Sequence, residues 1–420
     1  MNRTESVGAS LGEAIAARLA ELAGVSDEDG ALTRLYLSRA HRKAAELVMR
    51  WMREAGLSAR IDAVGNVVGR REATREGART LILGSHIDTV QNAGAYDGNL
   101  GVVTAIEVVG ALKGRPLPFA IEVVAFGDEE GVRFPSALGG SRALSGVFDP
   151  AILDERDAEG ISRRDALIAF GCDPGRIAQE ARSPGDVLGY VEVHIEQGPV
   201  LEAEGRPVGV VTGISGACRG AVRVIGESAH AGTTPMPLRH DALIAAGLMI
   251  AAVDGRARLD RDLVATVGRL EIPHAAANTI PGAVSFTLDI RASDDEVRHA
   301  AVRDIGARIR ESADARQLKA EIELGYEAPF ARCDPALSDA LAAAVERAGV
   351  EARRLPSGAG HDAMAFKDRI PFAMLFVRCK AGVSHNPAEY ASPQDIDVAA
   401  QVLLDFIERL EDQGDNHEPS

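Results

Sequence analysis

The sequence predicts an α/β chain, with a mostly parallel sheet flanked by helices and a second, α+β domain inserted into it. Two observations carry this. Short apolar runs, Leu81-Ile82-Leu83 and Ala120-Ile121-Glu122-Val123-Val124-Ala125-Phe126, are separated by a helix-forming stretch over 102–112, the alternation that builds parallel pairs. Over 214–328 the order changes to β-α-β-β-α-β, the split ferredoxin-like unit. With 420 residues, 46% of them hydrophobic, the chain can fill two cores. The predicted domains are therefore 1–213 with 329–420, and 214–328 between them.

Each element has its own warrant. Leu35, Ala44, Leu47, Val48, Trp51 and Met52 recur at helical intervals before Gly56, predicting an amphipathic helix over 35–57. Tyr190 to Gln197 alternates, with Val191, Val193 and Ile195 on one face and Glu192, His194 and Glu196 on the other, and such a polar face is ordinarily solvated. In the inserted unit, strands are expected over 221–225, 263–272, 283–291 and 318–324, and helices over 240–253 and 294–313. Gly213, Gly216 and Gly220 at its start suit a hinge. Asp334-Pro335 is an N-cap and first-turn pair for a helix ending at Gly349. Ser392-Pro393, with Asp395 placed for a capping box, opens a last helix that buries Ile396, Ala399, Leu403, Ile407 and Leu410.

Composition excludes some partners. The formal charge is −16 and no Lys/Arg-rich block interrupts it, which argues against nucleic acid and for a small molecule. The first ten residues lack a signal-peptide core, and no run of 18 apolar residues occurs, so the expectation is a cytoplasmic protein with no membrane partner. Cys172, Cys218, Cys333 and Cys379 show no Cys-x-x-Cys spacing and read as ordinary thiols. The acidic tail over 411–420 is expected to fray.

Chemistry-bearing residues gather where the apolar runs end: Gly84-Ser85-His86-Ile87-Asp88-Thr89-Val90, Tyr96-Asp97-Gly98-Asn99 and Gly127-Asp128-Glu129-Glu130-Gly131. Ligands of open parallel sheets sit at the carboxyl ends of strands, and imidazole with carboxylate is a donor set for divalent cations. His86 and Asp88, two apart on an extended segment, face the same way, so Asp88 can accept the second N–H of a ligating His86; a core histidine beside a turn aspartate is the alternative. Asp97 can bridge two cations or simply make an Asp-Gly turn. Glu129 and Glu130 repel each other unless a cation or proton compensates, in which case one ligates and the other takes a proton from water; two solvated loop acids are the alternative. His194, and His385 in the loop Gly382-Val383-Ser384-His385-Asn386-Pro387, are weak candidates singly. Along 284–291 the apolar phase is Val284, Phe286, Leu288 and Ile290, which leaves Arg291 on a face that pattern alone would call solvated.

Taken together these segments resemble the hydantoinase/carbamoylase branch of the M20 metallopeptidase superfamily, which includes N-carbamoyl-L-amino-acid hydrolases and allantoate amidohydrolases. The resemblance runs nearly end to end, and His194-Ile195-Glu196-Gln197-Gly198-Pro199 and His230-Ala231-Gly232-Thr233-Thr234-Pro235-Met236 are specific to the branch. It implies a di-metal catalytic domain and an inserted lid and dimerisation domain. It also implies two divalent ions per subunit (zinc, or manganese, cobalt or nickel), one held by His86 and His194, the other by Glu130 and His385. Asp97 would bridge, with Asp88 behind His86 and Glu129 as general acid and base. His230 from a neighbouring subunit would stabilise the oxyanion, while Asn278 and Arg291 would bind substrate, Arg291 through its carboxylate. The implied substrate is a small ureido or amide carboxylate, foremost an N-carbamoyl-L-amino acid, with allantoate or an N-acyl amino acid as alternatives. A catalytically silent binding protein is the alternative from another class. Ala217 and Cys218, after Gly213-Ile214-Ser215-Gly216, follow neither the glutamine of the allantoate enzymes nor the bulkier side chains of carbamoylases.

Overall fold

The computed structural model describes residues 10–410, so the expectations for the first nine residues and for the tail over 411–420 lie outside the described residues. The chain divides into two compact units, one comprising residues up to Thr212 and from Arg332 onward, the other Gly213–Ala331.

In the first unit the sheet runs in the order Ser58–Ile61, Val67–Arg71, Ala120–Phe126, Thr80–His86, Val187–Ile195, Phe372–Val377, Val208–Ile214. The central four strands, from Ala120–Phe126 to Phe372–Val377, are parallel, and antiparallel strands flank them. Period-two alternation splits this sheet into two faces with different jobs. Leu81 and Leu83, Ile121, Val123 and Ala125, Val191, Val193 and Ile195, and Ala373, Leu375 and Val377 join the helical core. That core includes the helices Leu11–Ala23, Arg39–Glu54, Asn99–Ala111, Pro335–Arg347 and Pro393–Arg409. The opposite phase carries His86, Phe126, Tyr190, Glu192, His194 and Phe376, and it is buried too. Phe366 stacks on Tyr190 with centroids 4.4 Å apart and tilts against Phe126 at 6.3 Å. The expectation of a solvated polar face on 190–197 is therefore wrong: both faces of the Val187–Ile195 strand are covered, as central parallel strands require.

Helix boundaries follow their caps. The helix expected over 35–57 is Arg39–Glu54, because Ser38 accepts the His41 N–H and sets the start. Ser10 and Glu13 form a capping box for Leu11–Ala23, a helix the apolar pattern did not single out. Ser392 caps Pro393–Arg409, but the Asp395 carboxylate completes no box; it accepts from Arg378 Nε and Nη2 at 3.0 and 2.8 Å. Asn99–Ala111 is buried on almost every side, so it reads as a core helix rather than an amphipathic one.

The second unit is an antiparallel sheet ordered Lys319–Ala328, Gly216–Ile225, Ala283–Ala292, with Leu263–Thr266 and Leu270–Glu271 both pairing the last of these. Helices Ala242–Ala257 and Asp295–Asp314, capped by Asp241 and Asp294, bury Val222, Val224, Phe286, Leu288 and Ile290. The strand expected over 263–272 is interrupted near Gly268, where the Arg269 N–H donates to the Thr287 hydroxyl at 3.1 Å. Gly213, Gly216 and Gly220 lie within strands, where a Cβ on each would come within 2.6 Å of Phe330, Asp295 and Glu323 respectively. The absence of a Cβ at each is what permits this close approach.

Candidate di-metal site

The site lies at the carboxyl ends of the parallel strands. His86 closes Thr80–His86 and pairs in register with Phe126; His194 pairs with Phe376. Gly98, at φ +63, caps the buried helix and lets the backbone rest on the His86 ring, since a Cβ there would stand 2.4 Å from it. This delivers Asp97 to the strand ends. Its carboxylate divides two ways. Oδ1 is 3.1 Å from His194 Nε2 and 3.6 Å from His86 Nε2, whereas Oδ2 is 3.1 Å from His385 Nε2, which is itself 3.5 Å from a Glu130 carboxylate oxygen. His86, Asp97 and His194 form one group whose donor atoms could hold a cation, and Asp97, Glu130 and His385 another. His194 Nε2 and Glu130 Oε1 are buried without a hydrogen-bond partner among the described residues. A divalent cation in each group would satisfy one of these atoms, so the donor set fits the expected pair of ions.

Electrostatics agree with that fit. Burial opposes charge on His86, yet Asp97, Glu129, Asp88 and Glu130 raise its pKa well above the ordinary imidazole value. Burial works against the Asp97 carboxylate, but the imidazoles of His194, His385 and His86 that face it hold it well below the usual range. Glu129 is pushed well up by burial and by Glu130, and burial lifts Glu130 to about 7. Asp97 raises His385 to about 9. Three acids and two imidazoles in one crevice are thus displaced from their solution behaviour, a state that cations would relieve.

One expected contact differs. The His86 Nδ1 partner is the backbone carbonyl of Asp88, at 3.0 Å, while the Asp88 carboxylate is 3.8 Å away and instead accepts the N–H groups of Glu129 and Glu130, each at 3.2 Å. The i, i+2 geometry is real, but the acid supports the glutamate turn and the main chain fixes the imidazole tautomer.

Several supporting residues were not singled out from the sequence. Gln197 Nε2 and Ser384 Oγ donate to Asp97 Oδ2 at 2.9 and 2.8 Å, and Glu389 Oε1 accepts the N–H groups of Tyr96 and Asp97. The fully buried Arg34 donates to the Ile87 carbonyl and to Asn99 Oδ1, both at 2.9 Å, bracing the segment after His86. Beneath His194, the His361 ring meets it edge-on at 4.5 Å, and Glu192 takes hydrogen bonds from Ser85 Oγ and the Ala363 N–H. Gln197 and Ser384 fall inside the segments that carry the resemblance; Arg34 has no local signal.

In the second unit His230 and Asn278 are brought together. The ribbon pairs Ala229–His230 with Thr279–Ile280, the Ala231 N–H donates to the Asn278 carbonyl at 2.9 Å, and both side chains are exposed. The Gly232 N–H donates to His230 Nδ1 at 3.1 Å, which leaves Nε2 outward. Arg291 lies on the half-buried phase of Ala283–Ala292 with its Nε and Nη2 on the Asp289 carboxylate at 2.8 and 2.7 Å.

The sequence profile described as peptidase family M20/M25/M40 matches residues 82–409. An N-carbamoyl-L-amino acid amidohydrolase from Geobacillus stearothermophilus is 42% identical, over 95% of this chain and 98% of its own. An allantoate deiminase from Arabidopsis thaliana is 41% identical, over 93% and 81%. The crystal structure of a hydantoinase/carbamoylase family amidase from Burkholderia multivorans superposes with a TM-score of 0.89 at 34% identity, covering 94% of this chain and 97% of that one.

Proposed function

Since the chain belongs to peptidase family M20/M25/M40, we propose that it hydrolyses the ureido C–N bond of an N-carbamoyl-L-amino acid, releasing the amino acid, ammonia and carbon dioxide. It is an amidohydrolase acting on a non-peptide C–N bond. The observation that supports a two-cation hydrolase is the divided carboxylate of Asp97, each oxygen turned to its own imidazole group. His86 and His194 would hold one divalent cation, Glu130 and His385 the other, and Asp97 both. Zinc is the default for such mixed donors, while manganese, cobalt and nickel also suit it. When bound, the cations polarise the substrate carbonyl and make water acidic enough to attack at neutral pH.

The chain's own residues do the rest. Glu129, on the same turn as Glu130 with a carboxylate oxygen 3.9 Å from His86 Nε2, would take the proton from the attacking water and pass it to the leaving nitrogen, a role that this proximity supports. His230, supplied by a second copy of the chain, would steady the oxyanion, and Asn278 beside it would bind substrate. Arg291, its guanidinium oriented by Asp289, would take the substrate carboxylate. The homodimer this requires would form through the second unit, whose helix Ala242–Ala257 exposes Ile244 and Leu248. Cytoplasmic localisation fits this small-molecule chemistry, and no described helix is long and apolar enough to cross a membrane.

A second reading, allantoate hydrolysis, is favoured by the near-equal identity of the allantoate deiminase. Purified protein, stripped and reloaded with Mn²⁺, Zn²⁺, Co²⁺ or Ni²⁺, is to be assayed for ammonia release from N-carbamoyl-L-amino acids and allantoate, and for amine release from N-acyl amino acids. Faster turnover of the first class supports the proposal and of allantoate the second reading; tight binding without turnover of any would overturn both in favour of a silent binding protein.

A further inference from the structure

We propose that Arg163 is a positioning residue for the proton transfer: by pairing with Asp128 it holds the left-handed turn that aims Glu129 and Glu130 into the site. The inference rests on the function proposed above. Asp128 follows the end of the Ala120–Phe126 strand by one glycine, and its φ is +73, a conformation that side-chain-bearing residues adopt at a cost. The next two residues are the general base and a cation ligand. Something must compensate for the turn, and Arg163 is placed to do so. It belongs to the helix Arg163–Phe170, 35 residues further along, and is 1% exposed, against 0% for Asp128. Its Nη1 donates to Asp128 Oδ2. Nη2 donates to the Ser136 carbonyl at 2.9 Å, to Ser136 Oγ at 3.0 Å and to Glu155 Oε2 at 3.1 Å. The guanidinium lies 4.6 Å from the Phe134 ring centroid.

The turn is gripped elsewhere as well. The Asp128 carbonyl accepts the Leu138 N–H at 2.6 Å and its Oδ2 accepts the Gly139 N–H at 3.3 Å. Gly139 permits this embrace, because a Cβ there would stand 2.6 Å from Asp128 Oδ2 and 3.0 Å from Arg163 Nη1. On the far side the Asp88 carboxylate holds the N–H groups of Glu129 and Glu130. The glutamates are thus fixed at one end by Asp88 and at the other by a buried ion pair that touches neither cation site. Buried pairs are poor sources of net stability, and fixing one backbone geometry is a use that fits this one.

The test separates positioning from bulk stability. In Mn²⁺-loaded protein, Arg163→Met is expected to lower kcat for ammonia release about 10- to 100-fold with KM within about twofold. The weaker of two Mn²⁺ binding events, read by titration calorimetry, should lose about tenfold in affinity. Adding Asp128→Gly removes the orphaned acid and makes the left-handed turn cheap, so the double variant should regain about fivefold or more in both readouts. An unchanged kcat in folded Arg163→Met, a loss confined to KM, or no recovery in the double variant would overturn the proposal. Should Arg163→Met fail to fold, Arg163→Lys keeps a charge without the fork; a smaller kcat loss supports the assignment and wild-type values refute it. If the wild type releases ammonia from no substrate, the activity reading fails instead, and Mn²⁺ titration of the same variants still decides whether the clamp exists.

Discussion

The two units hold their chemistry-bearing residues under opposite conditions. In the first, His86, His194 and Asp97 are 1%, 1% and 4% exposed, and each is fixed by the others or by residues from distant parts of the chain. In the second, His230 and Asn278 stand exposed on a two-stranded ribbon, steadied by their own backbone, and Arg291 is half-buried beside Asp289. The first set is costly to assemble without cations, because buried acids and imidazoles must share charge in a low-dielectric crevice. The second is cheap to display, because exposed groups keep their contact with water. Under the proposed function, burial would mark where bond-breaking is prepared, and exposure where another molecule would arrive.

The sharpest way to break that contrast is to remove the proton acceptor alone. Glu129→Gln keeps shape and burial but cannot take a proton, so turnover should fall about 10²- to 10⁴-fold while cation content, measured by elemental analysis, is retained. Retained activity would move the base elsewhere. The opposite pattern, lost cations with the fall, would make Glu129 a ligand.

For the exposed set the corresponding experiment uses mixed oligomers. His230→Ala should lower kcat about 10²- to 10³-fold with cation content unchanged. Mixing it with Glu129→Gln should restore about a quarter of the wild-type rate if His230 serves the neighbouring subunit, since half the dimers are mixed and each carries one complete site. No recovery in subunits shown to exchange would place His230 within its own subunit's reaction. Smaller still is the effect expected for Arg291→Ala, a rise in KM of about 10- to 100-fold for carboxylate substrates with kcat little changed, in keeping with a charged two-point contact. An unchanged KM would return Arg291 to a scaffold role with Asp289.

The same contrast explains what could be read from the sequence. Strand 120–126 was legible to the residue, because a continuous apolar run has one interpretation once helices flank it. The phase of 187–195 was not: Glu192 and His194 alternate with valines just as a solvated face would, and only the chain packed over that face reveals them as buried. His86, Asp97, Glu129, Glu130, His194 and His385 were nameable through motif order. Their supports Arg34 and Arg163 were not, since a buried arginine is defined by carbonyls and acids that meet it from remote segments. The exposed candidates show the reverse. His230, Asn278 and Arg291 carry no pattern signal beyond the family motifs, and the fold explains their local support without requiring their chemistry.

The last test asks whether burial alone accounts for the perturbed histidines. His41 is as buried as His86, accepts the Leu37 N–H on Nδ1 at 3.0 Å, and stacks on Phe170 with centroids 5.2 Å apart, but among the described residues no acid pairs with it. Burial, with Arg34 and Arg133 nearby, lowers its pKa to about 3. A folded-state value below the unfolded 6.5 means that the unfolded chain binds the proton more tightly. The resulting stability is complete above about 6.5 and drains away as pH falls from there toward about 3, by up to about 1.4 kcal/mol per pH unit for one proton. In His86 the same burial is overridden by four acids, so its shift runs the other way. Urea unfolding of His41→Gln across that window should therefore show a shallower acid slope than wild type. An equal slope would mean that His41 does not titrate as the neutral, desolvated partner its surroundings dictate.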